Sequence, residues 1–173
     1  MTIPFVGVAM LMGASFGMQV SMLSAMARVR GPFEATWLSL VATVAGFAIV
    51  MTARTFGNGR VALPAPFRGP IPFAVIAVIG VVGVAFVVRG LPWYFLFTGL
   101  LAIPLLVSAG YLGPRLGVGL YLSSVIAGQL ICSLVLDHIG AFGIPVHRVG
   151  ASRLAGIGAL FAGVVLIRGV RGG

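Results

Sequence analysis

A glutamine, a serine and an aspartate recur at four-residue intervals in a stretch that otherwise avoids polarity. In "SSVIAGQLICSLVLDHIGAFGIP", residues 123–145, Gln129, Ser133 and Asp137 stand among mostly apolar neighbours. On a helix of 3.6 residues per turn, each four-residue step turns the side chain by about 40°, so the three make one stripe slanting toward the helix end. Lipid offers such groups no hydrogen bond, and the stripe must face protein, water or substrate. Asp137 is one of only two acids in the chain, with Glu34 the other. At the C-terminal end of a helix the dipole opposes its charge, so a compensating group is expected. His138, His147, Arg148 and Arg153 follow closely in sequence. One use of Asp137 is an ion pair with one of them. The other is a carboxylate that exchanges a proton or meets a cationic group.

A second polar pair, Ser15 and Gln19, sits one helical turn apart near the N-terminus, beside a stripe of Met18, Met22 and Met26. The methionines suit core packing. Gln19 suits either an interhelical hydrogen bond or a substrate-facing position. Glu34, in "GPFEATW", falls with Pro32 in the first turn of a helix, where proline and an acid are both favoured. Pro104 is expected inside a helix, kinking it and freeing a carbonyl near mid-membrane. Cys132, the lone cysteine, can form no intrachain disulfide and reads as a small packing residue. No catalytic constellation is visible: there is no HExxH, nucleophile elbow, phosphate-cradling glycine loop or carboxylate pair on one helix. No cofactor or metal site is expected, and the chain does not read as an enzyme.

The elements that must hold these groups are membrane helices. Of 173 residues, 60% are hydrophobic and 8% charged, against about a quarter charged in soluble domains. Spanning a hydrocarbon core of about 30 Å takes roughly 20 apolar residues. Six stretches qualify, at about 3–26, 34–53, 71–88, 93–112, 118–137 and 152–169. The fold class is therefore all-α, a polytopic transmembrane helical bundle in a single integral membrane domain, 1–173. Five spans are the alternative, with 71–88 as one side of a tight hairpin before "RGLP". The N-terminus lacks the basic region of a signal peptide and reads as a first retained span. Trp93 and Tyr94 match the aromatic belt at a membrane interface.

All eleven basic residues are arginines, giving a net charge of +9. They lie singly or in pairs between apolar runs, a pattern that suits a bilayer and argues against nucleic acid as partner. Counted by side for six spans, they divide six against five: Arg54, Arg60, Arg68, Arg115, Arg168 and Arg171 face the rest. That balance gives no positive-inside bias and admits an antiparallel dimer. Small residues spaced for close helix contact recur at Gly13 and Gly17, at Ala109 and Gly113, and at Gly156 and Gly163.

Three segments, "PWYFLFTGLLA", "YLGPRLGVGLYLSSVIAGQLICSLVLDHIGAFGIP" and the closing "RLAGIGALFAGVVLI", together resemble the YdcZ-type family of the drug/metabolite transporter superfamily. The likeness covers about 92–167 well and the first two helices loosely. It departs at Leu23, where the family often has Asn four residues after its Gln, and in the 71–88 run, which exceeds the family's usual five spans. The resemblance implies a small multi-pass carrier of the bacterial cytoplasmic membrane, half the size of a full transporter and expected to pair as a homodimer or paired half-transporter. On that basis Gln19, Gln129, Ser133 and Asp137 are the expected substrate or coupling residues for a small molecule. The competing expectation is a non-transporting membrane subunit or assembly partner whose polar stripe only joins helices.

Overall fold

The computed structural model describes residues 3–57 and 61–169. Every regular element among them is helical: α1 (Ile3–Arg30), α2 (Pro32–Phe56), α3 (Pro70–Val87), α4 (Ala102–Leu116), α5 (Val118–Ile139) and α6 (Ala151–Gly169), with short 3-10 runs at Trp93–Phe97 and Ala141–Gly143. Continuous apolar runs dictate this, since a helix satisfies its own backbone where lipid cannot. Five segments are long and apolar enough to cross a membrane, namely α1, α2, α3, Trp93–Leu116 and α5. The apolar part of α6, Ala151–Ile167, is shorter. The third stretch is a full helix of 18 residues. Arg60 and Arg171, which enter the arginine count, lie outside the described residues.

Local sequence explains the helix ends. Gly31 turns the chain, Pro32 opens α2 and Glu34 sits in its first turn. Gly117 alone separates α4 from α5, at φ 78° and ψ 146°, a conformation that a Cβ would disfavour. The "GPRLG" stretch is thus mostly helical, with Pro114 carried inside α4. The fourth span also departs from expectation. In place of a kinked helix, the 3-10 run gives way to a turn at 98–101 before α4 begins at Ala102. Pro104 therefore lies in the first turn of α4, where its missing N–H costs nothing.

The chain divides into two compact units. One comprises the chain through Ala25 together with Pro104 onward. Its core joins Ala9 to Leu112, Leu116, Leu120, Tyr121, Val125, Ala127 and Val164, so α1, α4, α5 and α6 all contribute. Within it α1 and α5 meet backbone to backbone. A Cβ on Gly128 would lie 1.8 Å from the Met10 carbonyl oxygen, and one on Gly13 would lie 2.0 Å from that of Val125. Arg115 adds a contact over the Phe5 ring at 5.6 Å.

The other unit runs from Met26 to Ile103. Here α2 and α3 lie antiparallel, Gly80 against Ala45 and Gly83 against Val41. The buried face of α2 is small-residued, including Ala35, Ser39, Ala42, Ala45 and Gly46. Arg30 reaches across to cap α3, donating to the carbonyl of Val87 at 2.8 Å and to that of Arg89. The Val87 carbonyl ends α3 and that of Arg89 lies in the turn just beyond it, so neither has an intrahelical donor.

Candidate functional site

The α5 stripe lies in the first unit and begins at the α1 contact. Gly17 of α1 is buried against it: a Cβ there would stand 2.7 Å from the Gln129 carbonyl oxygen, 3.1 Å from Ser133 Oγ and 3.3 Å from Cys132 Cβ. Gly13, Gly17 and Gly128 are what allow α1 to approach so closely. Of the three small-residue pairs read from sequence, only Gly13 and Gly17 serve as a contact here. Gly113, Gly156 and Gly163 have no neighbouring atom within 4 Å of a Cβ position.

Gln129, Ser133 and Asp137 are each half-buried. Asp137 Oδ2 lies 3.9 Å from Arg153 Nη1 at the start of α6, with both side chains substantially exposed at 35% and 44%. The partner expected from sequence is thus present, at a separation too long for a hydrogen bond. Backbone links hold the same corner more firmly. The His147 N–H donates to the Asp137 carbonyl at 2.9 Å, and the Val149 N–H donates to His138 Nδ1 at 3.2 Å. The turn between them starts at Gly140 (φ 64°, ψ 38°), a left-handed helix cap whose N–H returns to Leu136. Phe142 follows at φ 57°, a conformation uncommon for a bulky residue. The "GAFGIP" motif therefore folds the chain back onto the end of α5 and delivers Arg153 to Asp137.

Gln19 does not join this stripe. It is buried, at 7% exposure, but it lies two residues beyond Gly17, about 200° around the helix from the α5 contact. Met22 and Met26 are buried as packing residues, while Met18 is exposed.

A second polar group in this unit had no signal in the sequence. Tyr121 of α5 is buried, with its hydroxyl 2.9 Å from Ser108 Oγ of α4 and 3.1 Å from the Leu105 carbonyl. Ser108 also donates to Leu105 at 2.9 Å. Each residue alone looks ordinary, and only the α4–α5 pairing joins them. Among the described residues no group of three or more His, Cys, Asp or Glu side chains could hold a metal ion.

Neither the curated proteins nor the solved structures contain a match to this chain. A protein-family model does match, over residues 4–166, and its description is "Putative inner membrane exporter, YdcZ". That match takes in both units, the α1–α5 contact and the Gly140–Pro145 turn. A multi-pass helical membrane protein matched over nearly its whole length by that model belongs to the YdcZ family of inner membrane exporters of the drug/metabolite transporter type.

Proposed function

We propose that the chain is a secondary carrier of the cytoplasmic membrane that exports a small molecule by alternating access, working as a homodimer or as one half of a paired transporter. The observation that carries the proposal is the half-buried state of Gln129 and Ser133 inside a helix long enough to span the bilayer. Groups of that polarity facing lipid would be costly, so a water-filled or substrate-filled path beside α5 is the favourable environment for them. Carriers of this general kind bind near the bilayer midplane, where polar side chains project from packed helices. In this arrangement Gln129 and Ser133 contact substrate. Asp137, at the mouth of the stripe, takes up the cationic group or proton that couples transport. Gln19, on the other side of α1, contributes through a separate wall.

The test is transport by the purified protein in proteoliposomes, screened against small metabolites and toxic organic cations. Native protein should move at least one of them, and Gln129→Ala and Asp137→Asn should lose that movement while remaining folded. If both variants transport normally and differ only in thermal stability, the stripe is a helix joint and the carrier role does not run along it.

A further inference from the structure

We propose that the corner where α3 ends binds an anionic phospholipid, with Arg30 and Arg89 on the headgroup phosphate and Phe86 against an acyl chain. All three residues belong to the Met26–Ile103 unit. Ala77, Gly80 and Val84 make the buried face of α3, with Gly80 against Ala45 of α2. The opposite face carries Val78, Val82 and Phe86, each exposed. Steps of four residues turn by only about 40°, so these three form one strip along the helix. Arg89 continues the strip just past the last helical residue, and its guanidinium lies over the Phe86 ring at 4.4 Å. An apolar track therefore ends under a positive charge at the depth where a spanning helix leaves the hydrocarbon. One lipid chain and its phosphate have that profile.

A second guanidinium is fixed beside the first. Arg30 donates to the Val87 carbonyl at 2.8 Å and to the Arg89 carbonyl, and its Nη2 would stand 3.8 Å from a Cβ on Gly90. Those two bonds use two of its five N–H donors. The turn itself closes without the Arg89 side chain: the Leu91 N–H donates to Val88 at 2.9 Å, and the Phe95 N–H donates to Pro92 at 3.1 Å. Among the described residues neither arginine meets a carboxylate. Glu34, the unit's one acid, turns back toward Gly31, where a Cβ would lie 2.7 Å from its Oε2. Arg28, in the same last turn of α1 as Arg30, adds to the positive charge. Adjacent guanidinium groups with donors to spare match a phosphate in geometry and in charge. Trp93, exposed and edge-on to Phe97 at 6.0 Å, suits the same interfacial level. The site requires that α3 cross the bilayer and requires no transported substrate, so it goes beyond the carrier role and the two fail separately.

The experiment is thermal unfolding of the purified full chain in dodecyl maltoside micelles, with dioleoyl phosphatidylglycerol compared against dioleoyl phosphatidylcholine at equal mole fraction. Phosphatidylglycerol should raise the midpoint of native protein saturably, beyond what phosphatidylcholine gives. Arg89→Gln should keep the native midpoint in phosphatidylcholine and need about fivefold more phosphatidylglycerol for half the rise, the worth of one guanidinium at an anionic surface. Arg54→Gln, which removes the same charge from the exposed last turn of α2, should titrate as native. No excess of phosphatidylglycerol over phosphatidylcholine in the native protein overturns the proposal, whether or not the variants fold. An Arg89→Gln protein with native half-saturation overturns it too, whatever its midpoint. So does an equal loss in Arg54→Gln, which would make the effect one of net charge. The same rise from sodium phosphate without added lipid would make the ligand free phosphate and overturn the lipid site.

Discussion

At the scale of single residues, packing and charge lead to opposite expectations for positions that look equally suspicious in the sequence. Asp137 is the conspicuous one, yet an exposed pair at 3.9 Å contributes little, about 0–1 kcal/mol. Asp137→Asn and Arg153→Ala should each change stability by less than about 1 kcal/mol, with a coupling in the double mutant of the same size or smaller. Loss of transport in Asp137→Asn at unchanged thermal stability would then mark function and not folding. Glycines reverse the emphasis. Gly128→Ala drives a methyl to within 1.8 Å of the Met10 carbonyl, and neither backbone can yield cheaply. It should destabilise by about 1–3 kcal/mol or more. Gly156→Ala meets nothing within 4 Å and should be neutral or stabilise by about 0.5–1 kcal/mol through helix propensity. Thermal unfolding of the two variants side by side checks the contrast, and equal effects would contradict the α1–α5 contact.

At the scale of elements, the helices were legible because a bilayer demands long apolar runs, and the starts of α2 and α5 follow from Gly31–Pro32 and Gly117. The pairing of those helices was not legible. In water, a helix advertises its buried face by an apolar stripe. In lipid most of each helix is apolar all round, so beyond the polar stripe nothing in the sequence of α5 says which helix meets which of its sides. Gly128, Ser108 and Tyr121 carry no mark of their contacts for that reason, nor does Gln19 show that it stands about 200° around α1 from the α5 contact at Gly17. The fourth span lies where its apolar run puts it, at Trp93–Leu116, but the break inside it was not legible for a related reason. A proline in an apolar run reads as a kink, but whether it ends a preceding turn or bends a continuous helix depends on what the backbone packs against. Here Gly99 is held on α2, and the helix restarts just before Pro104. The Tyr121 hydroxyl gives this scale its test. Tyr121→Phe removes the link between α5 and α4 and leaves Ser108 its bond to Leu105, so a loss of about 1 kcal/mol is expected. No loss would mean the two helices are held by apolar packing alone.

At the scale of the whole molecule, membership of the exporter family makes the chain a membrane transporter, and the half-buried polar groups on α5 are what the proposed carrier path rests on. Under the homodimeric form of the proposed function, subunit counting by stepwise photobleaching in liposomes should return two copies per particle. A uniform population of single copies that still transports would remove the dimer. The central claim is narrower than the assembly and can be tested without knowing it: Gln129 and Ser133 line the path. The direct measurement is the initial transport rate, in proteoliposomes, of whichever screened compound the native protein moves, compared among native, Gln129→Ala, Ser133→Ala and Ser123→Ala proteins of matched thermal stability. Gln129→Ala should lose about tenfold or more and Ser133→Ala a smaller factor, while Ser123→Ala, whose hydroxyl is bonded back to Gly119 off the stripe, should match native. Native rates in Gln129→Ala and Ser133→Ala would contradict the account.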